Sequence, residues 1–343
     1  MIVKKMPILQ GFPDFETVKF LSIPALKTPD FRPVFYDIET TGLSRNSTFL
    51  YLIGAAVYEE NSWQLFQWMA SDESEEKELL CAFSEFLKNY TCTIQYNGDR
   101  FDQPYLEARY ALYGLPSPFE ELESMDLYQR LKICQPLLKL PRMKQADLEV
   151  LLKVPPRLFS DGKECIRQYL TYTKTQDSHL KDILLGHNLE DVLGLGYLLP
   201  LLTLTALYEG NYTPSHAQLR DNHLMAVLLL PAALPFPVSN GNENFYISVS
   251  EKEARLLIPT VNGRLKQYYS NYKDYVYLPG EDTALPKALA TGLSREQKRP
   301  ARPETCYTWF SCTEGFLSSP EQQMHYFSHS LPQLLKKIGR AHV

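Results

Sequence analysis

The chain has 343 residues, 44% of them hydrophobic and 22% charged, enough for one large or two modest domains with a core that needs no disulfide or structural metal. Its formal net charge of -5 excludes attraction of the whole molecule to nucleic acid, so any polyanion contact must come from a local basic patch. Six scattered cysteines, none in a C-x-x-C pair, exclude a zinc-ribbon spacing and fit the reduced thiols of a cytoplasmic protein.

Residues 1–30 carry several prolines and little periodicity and read as an N-terminal arm; the apolar run after Lys4-Lys5 is too short for a signal-peptide core. Residues 33–39, 50–58 and 63–70 read as strands, the last two forming a hairpin across Glu60-Asn61-Ser62. Asp72 to Glu78 opens an amphipathic helix with Leu79, Leu80, Phe83, Phe86 and Leu87 at helical spacing, and its acids read as a solvated first turn favoured by the helix dipole. Residues 92–96 form a short strand and 101–113 a helix closed by Gly114, and 126–134, 145–152, 163–173 and 179–208 read as helices. The order predicts an α/β domain over residues 31–208, with a mixed sheet of three antiparallel strands plus parallel strands flanked by helices.

Residues 209–343 are richer in Gly, Asn and Tyr and are expected to form a smaller β-rich accessory region. Residues 245–250, 254–261, 264–270 and 274–280 read as strands, Asn262-Gly263 as a hairpin turn and 318–339 as a terminal helix. The apolar stretches 193–207 and 224–236 are shorter than about 18 residues and contain prolines, so they read as buried helix or strand, and no membrane partner is expected.

Several acids stand in apolar or junctional surroundings. Asp37 and Glu39 lie two apart on a strand and so project from one face. Buried charges of this kind need a partner or a metal, although an edge strand would leave both in water. Asp102 lies at the strand-to-helix junction Tyr96-Asn97-Gly98-Asp99-Arg100-Phe101-Asp102, where an acid also serves as a helix cap; Asp99, in the turn, is a lower-ranked alternative. His187 and Asp191, four apart on a helix, share a face, and histidine suits a general base; Glu190 points elsewhere. Phosphodiester hydrolysis by two metal ions needs such a set of hard oxygen ligands, gathered around ions about 3.5–4 Å apart, and Mg2+ or Mn2+ suits them.

Together these pieces resemble the motifs of the four-acidic-residue (DEDD) 3′→5′ exonucleases. Asp37-Ile-Glu-Thr-Thr-Gly-Leu is similar to the first motif, Asn97-x-x-x-Phe101-Asp102 to the second and His187-x-x-x-Asp191 to the third, in the family's order, over residues 31–208. The likeness is nearest to the YprB-type ribonuclease H-like subfamily, which Asn271-Tyr-Lys-Asp-Tyr-Val-Tyr-Leu-Pro, Glu281-Asp282 and Cys306-Tyr307 also resemble. In the third motif the histidine occupies the spacing at which the family carries tyrosine, with His179 as a fallback base.

The resemblance implies a ribonuclease H-like fold with two Mg2+ or Mn2+ ions. Asp37, Glu39 and Asp191 would hold one, Asp37 with Asp102 the other, and His187 would act as base. Thr40, Thr41, Gly42, Asn97 and Phe101 would contact substrate and Leu43 would wedge against a terminal base. The implied reaction is hydrolysis of single-stranded DNA or RNA from its 3′ end; the alternatives are a catalytically weak or inactive nucleic-acid-binding module and a metal-dependent endonuclease on the same fold. Residues 127–174, with ten Lys or Arg against four Asp or Glu and including Arg142, Lys144, Lys153 and Arg157, are a candidate phosphate track or simply a solvated helical surface. Lys266, Tyr268, Tyr269, Tyr272, Lys273, Tyr275 and Tyr277 are a candidate stacking surface for single strands, or ordinary strand packing.

Overall fold

A computed structural model describes residues 1–26, 30–159 and 162–338 and divides into two compact units. The first comprises Met1–Lys132 and Met143–Leu202, the second Ile133–Arg142 and the chain from Thr203 onward, so residues 133–142 leave the segment expected for the first domain.

The first unit opens with β1 (Ile2–Pro7) and α1 (Phe15–Ser22), followed by β2 (Pro33–Thr40), β3 (Leu50–Glu59), β4 (Ser62–Met69), α2 (Glu76–Leu87), β5 (Cys92–Gln95), α3 (Asp102–Leu112), β6 (Glu123–Asp126) and α4 (Leu127–Leu131). A short helix α5 (Gln135–Leu138) belongs to the second unit, and the first resumes with α6 (Gln145–Leu151), α7 (Gly162–Thr175) and α8 (Ser178–Leu198). The strands form one six-stranded mixed sheet in the order β1-β4-β3-β2-β5-β6. β1 to β4 pair antiparallel, while β5 and β6 run parallel to β2.

β3 is buried over most of its length and carries no charge before Glu59 at its end, as suits a central strand with both faces covered. On one face Tyr36, Ile38 and Ile53 pack with Leu79 and Phe83 of α2 and with Tyr105 and Leu106 of α3. On the other, Tyr51, Leu52 and Met69 pack with Tyr169 and Tyr172 of α7 and Leu184 of α8. The expectation of helices on both faces of a mixed sheet therefore holds.

Four local readings need correction. The arm supplies an edge strand, β1, whose lysines and terminal proline mark a protected edge while its brevity hides any alternation. Residues 123–126 form β6, where a helix was expected to begin at 126; four residues of mixed polarity carry no strand signal, and pairing with β5 decides their conformation. The stretch 193–207 is part of a longer run, Ser178–Glu209, which is long and apolar enough to cross a membrane by length and composition; its length is what needs correcting, since 72% of its apolar window is buried inside the protein, in keeping with the buried helix expected there. Glu76, read as part of a solvated helix start, is fully buried. It forms a two-contact ion pair with Arg109 of α3 and accepts the Leu50 N–H (2.8 Å) and the Tyr113 hydroxyl (2.9 Å).

The second unit continues with α9 (Ala206–Glu209) and an antiparallel sheet of β7 (Thr213–Arg220), β8 (His223–Asn242) and β9 (Phe245–Pro259). β9 is one long strand where the sequence suggested two, because it stays paired with β8 through irregular register. β10 (Arg264–Tyr268) follows, then β11 (Tyr275–Leu278), β12 (Thr283–Pro286), β13 (Arg299–Pro300), β14 (Tyr307–Ser311), α10 (Glu314–Ser318) and α11 (Pro320–Ile338). Asn262 and Gly263 make the expected turn, with φ of 51° and 71°, but only a single bridge, Val261 to Arg264, closes across it. β10 pairs instead with β14 and is held by α11, whose Ser330 hydroxyl accepts the Tyr268 N–H (3.2 Å) and whose Tyr326 hydroxyl donates to the Lys266 carbonyl (3.2 Å). Turn chemistry is local, whereas the partner of each strand is a tertiary choice.

Removing Glu76 alone strands a buried guanidinium. Glu76→Ala should therefore cost about 3–5 kcal/mol in urea unfolding, and pairing Glu76→Met with Arg109→Met should recover much of that loss. Equal losses in the single and double variants would show that the uncompensated charge is not the cause.

Candidate metal centre

β2 runs between β3 and β5 in the sheet and brings Asp37 and Glu39 to one face. Asp37 lies opposite Gly54 of β3. A Cβ at Gly54 would come within 2.0 Å of Asn188 Oδ1, so the glycine is what lets the Asn188 side chain of α8 reach across β3. Asn188 Nδ2 then donates to Asp37 Oδ2 (3.2 Å), and Asn188 Oδ1 accepts from Gln67 Nε2 (3.0 Å), which also donates to the Leu185 carbonyl (2.8 Å). The sequence reading missed Asn188. The available signal was its spacing: three residues before Asp191, it shares that helix face.

α8 supplies the remaining groups. His187 Nε2 lies 3.3 Å from Glu39 Oε1 and 3.2 Å from Asp191 Oδ2. Ligand atoms of Glu39, His187 and Asp191 all lie within 4.8 Å of one another, a spacing that could hold a metal ion. His187 Nδ1 is buried with no hydrogen-bond partner among the described residues, so the ring engages the acids through Nε2 alone. Asp102, 7% exposed in the first turn of α3, lies against the backbone N–H of Ile38, the residue between Asp37 and Glu39.

The electrostatics follow from this convergence. Burial, then the charges of Asp191, Glu39 and Asp102, push the Asp37 carboxyl well above its ordinary range, while the Arg157 guanidinium opposes the shift. Glu39 is raised in the same way, by burial and then by Asp191 and Asp102. Burial also pushes Asp102 up to about 7, with Asp126 and Asp191 adding to it and backbone N–H groups opposing it. A positive charge among these groups offsets both burial and repulsion, and hard carboxylate oxygens with one imidazole fit Mg2+ or Mn2+. The residues present therefore fit the implied cations.

Other expected residues fall outside this cluster or are engaged elsewhere. Asp99 is exposed and accepts from the Ser124 hydroxyl (2.6 Å) and Gln95 Nε2 (3.0 Å), so it does not replace Asp102. His179 is exposed in the first turn of α8, where Asp177 accepts its N–H. The Thr40 hydroxyl donates to the Gly42 carbonyl (2.8 Å) and the Thr41 hydroxyl accepts the Phe49 N–H (3.0 Å), so both shape the loop after β2. Asn97, at φ 62°, donates its N–H to Asp126 Oδ1 (2.9 Å), and Asp126, another residue the sequence reading passed over, thereby fixes the turn that precedes Asp102. Leu43 is 85% exposed and, with Arg45, Arg100, Phe101, Pro104 and Tyr105, lines a cavity of about 370 Å³. Arg157, expected in a phosphate track, is ion-paired with Glu149 and Asp191. In the second unit Lys266 sits over the Tyr307 ring (4.2 Å), Lys337 over Tyr268 (3.3 Å) and Tyr269 stacks on Tyr275 (5.3 Å), so these aromatics already pack within their own unit.

An aspartic acid raised from 3.8 to about 7 in the fold keeps a proton that the unfolded chain releases, so it favours folding at low pH and loses that contribution as pH rises through this window. In chelator, the melting temperature of an Asp102→Asn variant should decline less between pH 4.5 and 8 than that of the unsubstituted protein. Parallel curves from scanning calorimetry would contradict the assignment.

A family match fits this architecture. Residues 34–203 match the model of the RNase_H superfamily (RNase_H_2). A stretch of 110 residues, 30% of the chain, is 34% identical to a DNA polymerase of Methanocaldococcus jannaschii, of whose length it spans only 6%. The family B DNA polymerase from the hyperthermophilic archaeon Pyrobaculum calidifontis superposes with a TM-score of 0.43 and 13% identity, covering 91% of this chain and 47% of that one. With its six-stranded mixed sheet flanked by helices, the segment 34–203 makes this chain a member of the ribonuclease H superfamily.

Proposed function

We propose that the chain is a two-metal-ion 3′→5′ exonuclease that hydrolyses phosphodiester bonds of single-stranded DNA or RNA. The observation that carries this reading is the convergence of Asp37, Glu39, Asp102 and Asp191 from three separate segments, with His187 Nε2 against two of them. The family match and a relative named as a DNA polymerase support a nucleic-acid substrate. The segment from Asn271 to Pro279 supports placing the chain with the YprB-type proteins within the superfamily.

Asp37, Glu39, Asp102 and Asp191 would hold divalent cations, which when bound would supply Lewis acidity and counter-charge at phosphorus. The protein's own groups do the rest. Asn188 fixes the Asp37 carboxylate, and the β2 backbone fixes Asp102 beside it. His187 orients the attacking water and accepts its proton at Nε2. Its closeness to Glu39 and Asp191 also supports a second role, as a nitrogen ligand. Exposed Leu43 and half-buried Phe101, which line a cavity and of which Phe101 precedes Asp102 in the chain, suit an apolar rest for a terminal base, and Arg45 and Arg100 suit its phosphates.

The assay is a 5′-labelled single strand incubated with Mn2+, with a chelator control. Stepwise shortening supports exonuclease action from the 3′ end, and internal cuts support an endonuclease. Asp37→Asn should lose more than the roughly 100-fold that a mere supporting contact costs, with unchanged circular dichroism; full activity would remove the mechanism. His187→Gln should lose about 10²–10⁴-fold in rate with Mn2+ affinity retained if it is the base, and should lose Mn2+ affinity as well if it is a ligand.

If Arg45 and Arg100 each meet a phosphate, each alanine variant should weaken single-strand binding and lower the salt slope of log K by about 0.7. Slopes equal to that of the unsubstituted protein would dismiss the contact.

A further inference from the structure

Residues 157–159, which follow α6, are fastened onto α8 around Asp191. Leu158 and Phe159 donate their N–H groups to Glu190 (2.6 and 3.3 Å). The Phe159 ring lies over Gly186, where a Cβ would come within 2.3 Å of it. Arg157 spends Nε and Nη2 on the two carboxylate oxygens of Glu149 (2.9 and 2.8 Å) and Nη1 on Asp191 Oδ1. Glu149 of α6 is itself held by Gln145 Nε2 (3.0 Å), which also donates to the Asp191 carbonyl (2.9 Å). This stack fits because residue 194, one turn beyond Asp191, is glycine: a Cβ there would lie 2.2 Å from Gln145 Nε2 and 2.3 Å from Glu149 Oε1.

From this arrangement, and resting on the metal-centre reading above, we propose that Arg157, braced by Glu149, is the positioning residue for Asp191, holding Oδ1 so that Oδ2 faces Glu39 and His187. Two opposite effects on a cation follow from an arginine here, and magnitude decides between them. A lone guanidinium would repel a divalent ion and compete for the carboxylate. This one is forked on Glu149, so the pair is close to neutral and its net repulsion small, while the orientation it imposes on Asp191 is undiminished. A supporting contact of this kind is typically worth 10- to 100-fold in metal affinity. Lysine cannot reproduce it, since three donors in one plane, two for Glu149 and one for Asp191, are a property of guanidinium.

The test is calorimetric titration of Mn2+ alone into the full chain, with no nucleic acid present. Arg157→Met should weaken Mn2+ binding about 10- to 100-fold with native circular dichroism. Arg157→Lys should restore only part of that loss. Glu149→Gln, which keeps the side chain's shape, should weaken Mn2+ in the same direction even if Arg157→Met folds poorly. Unchanged or tighter Mn2+ binding in folded Arg157→Met or Glu149→Gln would overturn the proposal, as would weaker substrate binding with Mn2+ affinity intact. Asp191→Asn separates the two readings: loss of Mn2+ binding there, with no effect of Arg157→Met, would leave the metal centre standing and remove only the positioning role. An unsubstituted chain that binds no Mn2+ would overturn both.

Discussion

Four carboxylates brought into one patch repel each other, burial makes Asp37, Glu39 and Asp102 resist ionisation, and much of the first unit can be understood as the means of tolerating them. A charged group out of water is stable only when hydrogen bonds or opposite charges replace its hydration. The fold provides both kinds of replacement. Asn188 reaches Asp37 through the gap left by Gly54, the Ile38 backbone reaches Asp102, and Arg157 reaches Asp191. These contacts compensate only in part, which is the physical basis for the proposed cations at the patch.

Secondary-structure geometry explains why the acids meet. A strand puts Asp37 and Glu39 on one face, a helix start puts Asp102 beside that strand, and one turn of α8 puts His187, Asn188 and Asp191 across it. None of these elements could hold its place alone. The buried Glu76–Arg109 pair joins α2 and α3 to the start of β3, and aromatic packing on both faces of the sheet fixes β2 and β3 against α8. Precision at the site is thus inherited from core packing, where discrete side-chain arrangements resist small displacements.

The same economy separates the two kinds of arginine. Arg157 lies in a stretch with a surplus of positive charge, yet it serves the acids rather than a polyanion. Arg45 and Arg100 occur singly in the sequence, and the fold places them with exposed Leu43 in the lining of one cavity. In a chain of net charge -5, the proposed contact with a phosphate backbone requires such local placement.

Several features could be read from residues alone. The apolar run of β3, the i, i+2 pair Asp37 and Glu39, and the His187–Asp191 spacing carry their own periodicity, which is a property of local geometry. The mixed sheet flanked by helices followed from the order of such segments. What local sequence could not contain is partner choice. β1 and β6 are too short to signal a strand and exist because β4 and β5 offer them hydrogen bonds. β10 leaves a well-formed turn to pair with β14 instead of β9. Glu76 lies in an acidic run that looks solvated until Arg109 meets it, and Asn188 and Arg157 gain their meaning only from Asp37 and Asp191. Motif residues and element types were set by the sequence because each depends on neighbours a few positions away. The supports of the site were decided by the tertiary structure, because each depends on a partner many residues distant whose position only packing determines.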